Sequence, residues 1–147
     1  MALESWLASG WVTRHRTSRR EIADLLGAAD RDLASCQTPG LSADWRLSIA
    51  HNAVLLAATA ALAACGYRAV REAHHYRTIQ SLALTVGADN SLVDQVDAFR
   101  KKRNISGYKR AGAVSDYEAD EMMRLARLVR EAVEDWLSAN LPELLKE

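Results

Sequence analysis

The sequence is poor in cysteine, which can cross-link a chain, and in proline, which interrupts helices and strands. It has two Cys and two Pro in 147 residues. Two Cys are too few for a disulfide framework or a structural zinc site, which excludes the small disulfide-rich secreted class. Cys36 and Cys65 both fall in apolar segments, where a free thiol packs as a small hydrophobic group. The cysteine usage therefore favours a reducing, cytoplasmic environment.

The chain also lacks net charge, because 19 Lys and Arg balance 19 Asp and Glu. No global field draws it to nucleic acid or to an anionic membrane, so such binding must be local. Its most apolar run, residues 53–65, is 13 residues long, whereas a membrane-spanning helix needs about 20. The first residues lack the basic and apolar regions of a signal peptide. We expect a protein that is neither exported nor bound to a membrane.

Most signatures of enzyme chemistry are missing as well. The sequence has no glycine-rich phosphate loop, no metal-ligand spacing, no nucleophile elbow and no His-Glu-x-x-His. We therefore expect neither a metal nor another cofactor. What remains is a globular composition, 49% apolar and 26% charged, at the length of a single domain.

Apolar residues recur at helical spacing along most of the chain. Capping boxes predict helix starts at Ser18 and Ser115, where a Glu follows each Ser by three residues. The segment from Ser42 or Leu41 to Gly66 has few polar residues on any face, so we expect it to be the central helix.

A shorter third helix is predicted over residues 76–86, with Gly87 at its end. Asn90 or Ser91 can cap a fourth helix, whose spacing carries Arg103 onto the apolar stripe. An arginine in that place is expected to face a cleft or a partner.

The predicted fold is all-α, an antiparallel bundle of four to five main helices. We assign residues 18–147 to this bundle and residues 1–17 to a short N-terminal helix and linker, whose two tryptophans dock on it. Trp45 and Trp136 occupy apolar helical positions and are expected in the core. No strand is predicted.

Charge is unevenly distributed along the chain. Residues 95–112 contain six basic residues and one acidic residue, whereas residues 115–147 contain four basic and nine acidic residues. On the last helix, three charge pairs at i,i+4 spacing are expected on a solvated face: Asp120/Arg124, Arg127/Glu131 and Arg130/Glu134. A further basic cluster, Arg14 to Arg20, either extends an anion-binding surface or solvates a linker.

The basic segment at the end of the fourth helix is the strongest candidate for chemistry. It combines basic side chains, an amide, an aromatic ring and glycines. These groups suit contact with phosphates and stacking on nucleic-acid bases. The alternative is that these basic side chains only solvate the end of a helix and complement the negative end of its dipole. The candidate RNA- or nucleotide-binding residues are Arg100, Lys101, Lys102, Arg103, Asn104, Tyr108, Lys109 and Arg110.

Residues 18–138 resemble HEPN domains, the nucleotide-binding helical bundles of higher eukaryotes and prokaryotes. The resemblance rests on the helix order and on these motifs: Ala50-His51-Asn52-Ala53, Gly66-Tyr67-Arg68, His74-His75, Arg103-Asn104-Ile105-Ser106-Gly107-Tyr108 and Gly112-Ala113-Val114-Ser115. HEPN domains usually dimerise, and many are the toxin half of toxin–antitoxin pairs beside a minimal nucleotidyltransferase. Active members are metal-independent ribonucleases with Arg-x4–6-His at the end of this helix.

By that resemblance the motif arginine is Arg103, and Tyr108 stands where the ribonuclease motif has His. Some HEPN subfamilies also carry Tyr there. A phenol with a pKa near ~10 is a poorer proton shuttle at neutral pH than an imidazole near ~6.5. Arg103 and Tyr108 are thus the catalytic candidates if the protein cleaves RNA. If the protein only binds RNA, Arg103 would contact a phosphate and Tyr108 a base.

Other histidines offer alternatives. His74 and His75 can carry protons or bind a metal, or they can simply begin a helix. The spacing of Arg46 and His51 imitates the ribonuclease motif, but we interpret His51 as a hydrogen-bonded residue of the central helix.

These observations predict a cytoplasmic homodimer of HEPN type. The first functional hypothesis is a toxin-type component of a toxin–antitoxin or defence system that binds RNA or nucleotide at a basic cleft. The second is a non-enzymatic interaction module, a degenerate HEPN domain that pairs with a nucleotidyltransferase-type partner. A purely structural helical adaptor is the third. The sequence specifies neither the RNA target nor the partner, the trigger or the catalytic competence.

Overall fold

A computed structural model describes residues 2–108 and 114–145, with side chains given outside residues 103–108. The described residues form a helical bundle with one small sheet, which confirms the predicted fold class. The elements are α1 Leu3–Ala8, β1 Val12–Arg14, α2 Arg19–Ser35, α3 Ala43–Ala64, β2 Tyr67–Ala69, α4 His74–Gln80, α5 Leu82–Thr85, α6 Asn90–Tyr108, α7 Asp116–Asn140 and a 3-10 turn Pro142–Leu144.

Helix α3 is the centre of the bundle, as predicted. It packs most extensively against α7 and α2, and α4, α5, α6 and β2 cover its remaining surface. By length and composition alone α3 could cross a membrane, but 67% of its most apolar window is buried within the fold. This is the position expected for the core helix of a soluble protein.

The helix boundaries follow local capping chemistry. The side-chain oxygens of Ser18, Ser42 and Ser115 each accept a hydrogen bond from the backbone N–H three residues on. The capping box at Ser115 is complete, because the Glu118 carboxylate accepts from the Ser115 N–H at 3.0 Å. At Gly66 the chain leaves α3 with φ +94°, which glycine adopts without strain.

The third predicted helix is instead two short helices, separated at Ser81. The Ser81 hydroxyl donates to the Thr78 carbonyl at 2.6 Å, within the buried part of the fold. The backbone pairing continues through this residue, because the Ser81 N–H donates to the Arg77 carbonyl and the Thr85 N–H donates to the Ser81 carbonyl, each at 2.9 Å. The start of α6 also differs slightly from prediction, because Asp89 rather than Asn90 or Ser91 supplies the cap, its Oδ1 accepting from the Ser91 N–H at 2.9 Å.

A short antiparallel ribbon was not predicted. Strand β1 lies in the segment assigned to a linker and pairs with β2, in the register Val12↔Ala69, Thr13↔Arg68 and Arg14↔Tyr67. Three-residue strands are too short to show a period-2 pattern, so the sequence carried no clear signal. The ribbon holds the N-terminal segment on the bundle, where Trp6 is buried against Leu62 and Tyr67. Docking of the N-terminal tryptophans is thus confirmed.

The charged face of α7 is paired differently from the i,i+4 prediction. Arg130 does bond to Glu134, at 2.7 Å, and also to Asp30 of α2, at 2.8 Å. Arg124 pairs with Glu121 rather than with Asp120. Asp120 instead accepts from Arg46, so its charge joins α7 to α3. An arginine on a neighbouring helix competes with the local partner, and sequence spacing cannot show this.

The prediction that Trp45 lies in the core is wrong, since 64% of it is exposed. It lies in the first turn of α3, before the part of the helix that α2 and α7 enclose, while Leu47 two residues later is fully buried. Trp136 is half-buried and packs against the main core.

We expect Leu47→Ala to lower the free energy of unfolding by about 2–5 kcal/mol, because it leaves a cavity in the core. The larger truncation Trp45→Ala should change it by less than about 1 kcal/mol, because most of that side chain is in water. Urea unfolding followed by far-UV circular dichroism measures both values. Equal losses for the two variants would contradict the placement of α3.

Candidate functional site

An open cavity of about 540 Å³ lies where α4 begins, beside α6. Its lining residues are Arg71, Ala73, His74, His75, Tyr76 and Arg100, and we refer to it as the His–Arg cavity. It brings the two histidines, which were predicted as proton carriers, together with Arg100, the first basic residue of the predicted RNA-binding segment.

The backbone at Ala73 directs the histidines into this cavity. Ala73 adopts φ 52° and ψ 34°, a left-handed conformation that costs a non-glycine residue about 1–2 kcal/mol. Helix α4 starts immediately afterwards, so His74, His75 and Tyr76 lie in its first turn and are exposed. The two imidazole centroids are 5.8 Å apart, at an interplanar angle of 69°.

Arg100 is held in a fixed position on the α6 side of the cavity. Its Nε donates to Asp97 Oδ1 at 2.7 Å, and Asp97 is itself only 9% exposed. Its guanidinium carbon lies 5.5 Å from the centroid of the Tyr76 ring, within the range of a cation–π contact. Among the contacts of the described residues, Asp97 bonds to the Nε of Arg100, and the outer N–H groups of a guanidinium are suited to bind a phosphate oxygen.

Lys101 and Lys102, the two basic residues that follow Arg100, do not line the His–Arg cavity. The Lys101 side chain is 69% exposed and its Nζ is 3.9 Å from Asp97 Oδ2. The Lys102 Nζ lies 2.8 Å from Glu118 Oε2 and thereby links α6 to α7. Part of the positive charge of residues 95–112 is therefore paired with acidic side chains of α6 and α7.

The remaining predicted site residues are only partly described. The backbone of Arg103, Asn104 and Tyr108 continues α6, and Tyr108 is its last residue. Their side chains, and all of Lys109 and Arg110, lie outside the described residues.

The alternative histidine and arginine sites have structural explanations. His51 is fully buried within α3, which places its ring beyond the reach of a polymer substrate. Arg46 bridges α3 to α7 through Asp116, at 3.5 Å, and Asp120. In the basic cluster of residues 14–20, His15 Nε2 lies 2.8 Å from Glu21 Oε1. That carboxylate also accepts from the Thr17 hydroxyl, at 2.6 Å, which lowers the pKa of Glu21.

Sequence reasoning missed two residues of the His–Arg cavity, Arg71 and Tyr76. Tyr76 was only the first residue of the predicted third helix, and it is 41% exposed. Its position next to the histidine pair was the available signal. Arg71 precedes the turn at Ala73, and only that turn brings it to the cavity.

The described part of the chain contains no group of three or more His, Cys, Asp or Glu side chains arranged to hold a metal ion. The cavity instead presents two guanidinium groups, two imidazoles and one phenol ring. Such donors suit an anion, and the ring suits a planar group next to it. Comparison with protein-family models, with curated proteins and with solved structures gives no match.

The pairing of Lys102 with Glu118 can be tested through pH. The hydrogen bond from Lys102, together with the Ser115 N–H, lowers the pKa of the Glu118 carboxyl below its ordinary 4.5. Because the folded-state pKa is lowered, this pair stabilises the fold above the unfolded pKa, and the stabilisation is lost as the pH falls through the folded pKa.

In Lys102→Gln we therefore expect the pKa of Glu118, followed by NMR of its carboxyl carbon, to rise towards its ordinary value. Lys101→Gln removes the same charge from the neighbouring position and should leave the pKa nearly unchanged. Equal shifts in both variants would mean that Lys102 acts only through long-range charge.

Proposed function

We propose that this protein binds single-stranded RNA, with a phosphate of the RNA held in the His–Arg cavity. The observation that carries the proposal is the meeting of Arg100 from α6 with His74 and His75 from α4 in one exposed cavity. Asp97 orients Arg100 at 2.7 Å, so its guanidinium is positioned before any ligand arrives. Phosphate contacts of this kind provide most of the affinity of proteins for single strands.

The resemblance to HEPN domains supplies the biological part of the proposal. In this account the chain is a HEPN-type protein of the cytoplasm that forms a homodimer and acts as the toxin-type component of a toxin–antitoxin or defence system. A nucleotidyltransferase-type protein is then its partner. The helical bundle and the place of the basic segment at the end of α6 support this assignment.

Metal-independent RNA cleavage is a second candidate activity, favoured by the two imidazoles beside Arg100. One imidazole would accept the proton of a ribose 2′-hydroxyl as its oxygen attacks the neighbouring phosphorus. The other, protonated, would give a proton to the departing 5′ oxygen. The products are a 2′,3′-cyclic phosphate and a 5′-hydroxyl, and the guanidinium of Arg100 would stabilise the charge on the phosphate oxygens. Here His74 and His75 replace the histidine that the motif lacks at Tyr108.

The binding proposal predicts that Arg100→Gln weakens RNA binding about tenfold and lowers the slope of log Kd against log salt by about 0.7. Fluorescence anisotropy with a dye-labelled single strand, at several salt concentrations, measures both quantities. Arg127→Gln, which removes an equal charge from an exposed position of α7, is the matched control and should bind as wild type does. Equal affinity of all three proteins would contradict the proposed site.

Incubation of the same proteins with end-labelled RNA in chelator tests the second activity. Cleavage should leave 2′,3′-cyclic phosphate ends and fall at least about a hundredfold in His74→Gln or His75→Gln, with RNA affinity reduced far less. Intact RNA bound with normal salt dependence would leave a binding protein without nuclease activity. The interaction-module hypothesis would then gain support if a nucleotidyltransferase-type protein co-purified with the chain.

A further inference from the structure

A second groove lies on the other side of Tyr76, below the N-terminal segment. Its volume is about 310 Å³, at the lower end of the range for small-molecule sites. Its lining includes Trp6, Trp11, Tyr76, Arg77, Gln80 and Leu84, and we call it the tryptophan groove. Of these residues, Tyr76 alone also lines the His–Arg cavity.

The wall of this groove is rigid before any ligand binds. The Trp11 N–H donates to the Trp6 carbonyl at 2.9 Å, and the Trp11 carbonyl accepts from the Val70 N–H at 3.1 Å. The two indole rings meet edge to face, with centroids 5.6 Å apart. The Arg77 guanidinium carbon lies 3.9 Å from the Trp11 ring centroid, so Arg77 is stacked on the indole. A site fixed in this way loses little entropy when a ligand enters.

The groove and the His–Arg cavity are adjacent, because Tyr76 lines both of them. Tyr76 thus borders the mostly aromatic and apolar groove as well as the cavity with its histidines and arginines. A nucleotide has the same division, with a flat base next to a charged phosphate. Aromatic rings and guanidinium planes are the surfaces on which unpaired RNA bases stack.

We propose that the tryptophan groove holds a base of single-stranded RNA, stacked against Tyr76 and Arg77, while the phosphate of the same nucleotide lies in the His–Arg cavity. This inference rests on the proposed function. The amide of Gln80 supplies a donor and an acceptor for the edge of the base. Bases of a duplex are stacked on their neighbours, so the groove selects single strands.

The test compares a short dye-labelled single strand with an abasic strand of the same length and charge, by fluorescence anisotropy. Wild type should bind the intact strand about tenfold more tightly, since stacking of one base contributes about 1–3 kcal/mol. Tyr76→Ala should bind the two strands equally, because the base then has no ring to stack on. Tyr76→Phe keeps the ring and should keep the preference. Tyr117→Ala, which removes a ring that is 76% exposed on α7, is the matched control.

The outcomes separate this inference from the proposed function. Equal binding of intact and abasic strands by wild type, with the dependence on salt and on Arg100 retained, overturns the base site and leaves the phosphate site standing. A full preference in Tyr76→Ala, with its fold confirmed by circular dichroism, also overturns it. If neither strand binds in a salt-dependent manner, the proposed function fails and this inference fails with it.

Discussion

The constraint on which the structure depends is the burial of a helix that is apolar over most of its surface. Helix α3 has 67% of its most apolar window buried, so other elements must cover most of its length. Helices α2 and α7 cover most of it, and the pieces between α3 and α6 cover the remainder. Alanines such as Ala53, Ala57 and Ala60 are fully or almost fully buried along α3, and their small size lets the neighbouring helices approach closely.

The candidate site follows from how that enclosure is completed after α3 ends. Gly66 turns the chain into β2, which pairs with β1 and holds the N-terminal tryptophans on the bundle. The left-handed residue Ala73 then starts α4, which packs on α3 and α6. The histidines of its first turn therefore come to lie beside Arg100. A basic cavity and an aromatic groove on either side of Tyr76 are the result.

The sequence was sufficient for what local chemistry and periodicity determine. The caps at Ser18, Ser42 and Ser115, the central helix and the positive φ of Gly66 were all predictable. What could not be predicted depends on which elements meet. The ribbon of β1 and β2, the exposure of Trp45 and the meeting of the His74 pair with Arg100 join residues that are distant in sequence, or depend on where a helix emerges from the core.

Histidine NMR tests the central claim most directly, because the chain has only four histidines and they lie in three different environments. With ¹⁵N-labelled histidine, addition of single-stranded RNA should shift the ring signals of His74 and His75. The signal of His51, which is fully buried in α3, should move little and serves as the reference. RNA binding that leaves His74 and His75 unchanged would place the RNA elsewhere and contradict the account.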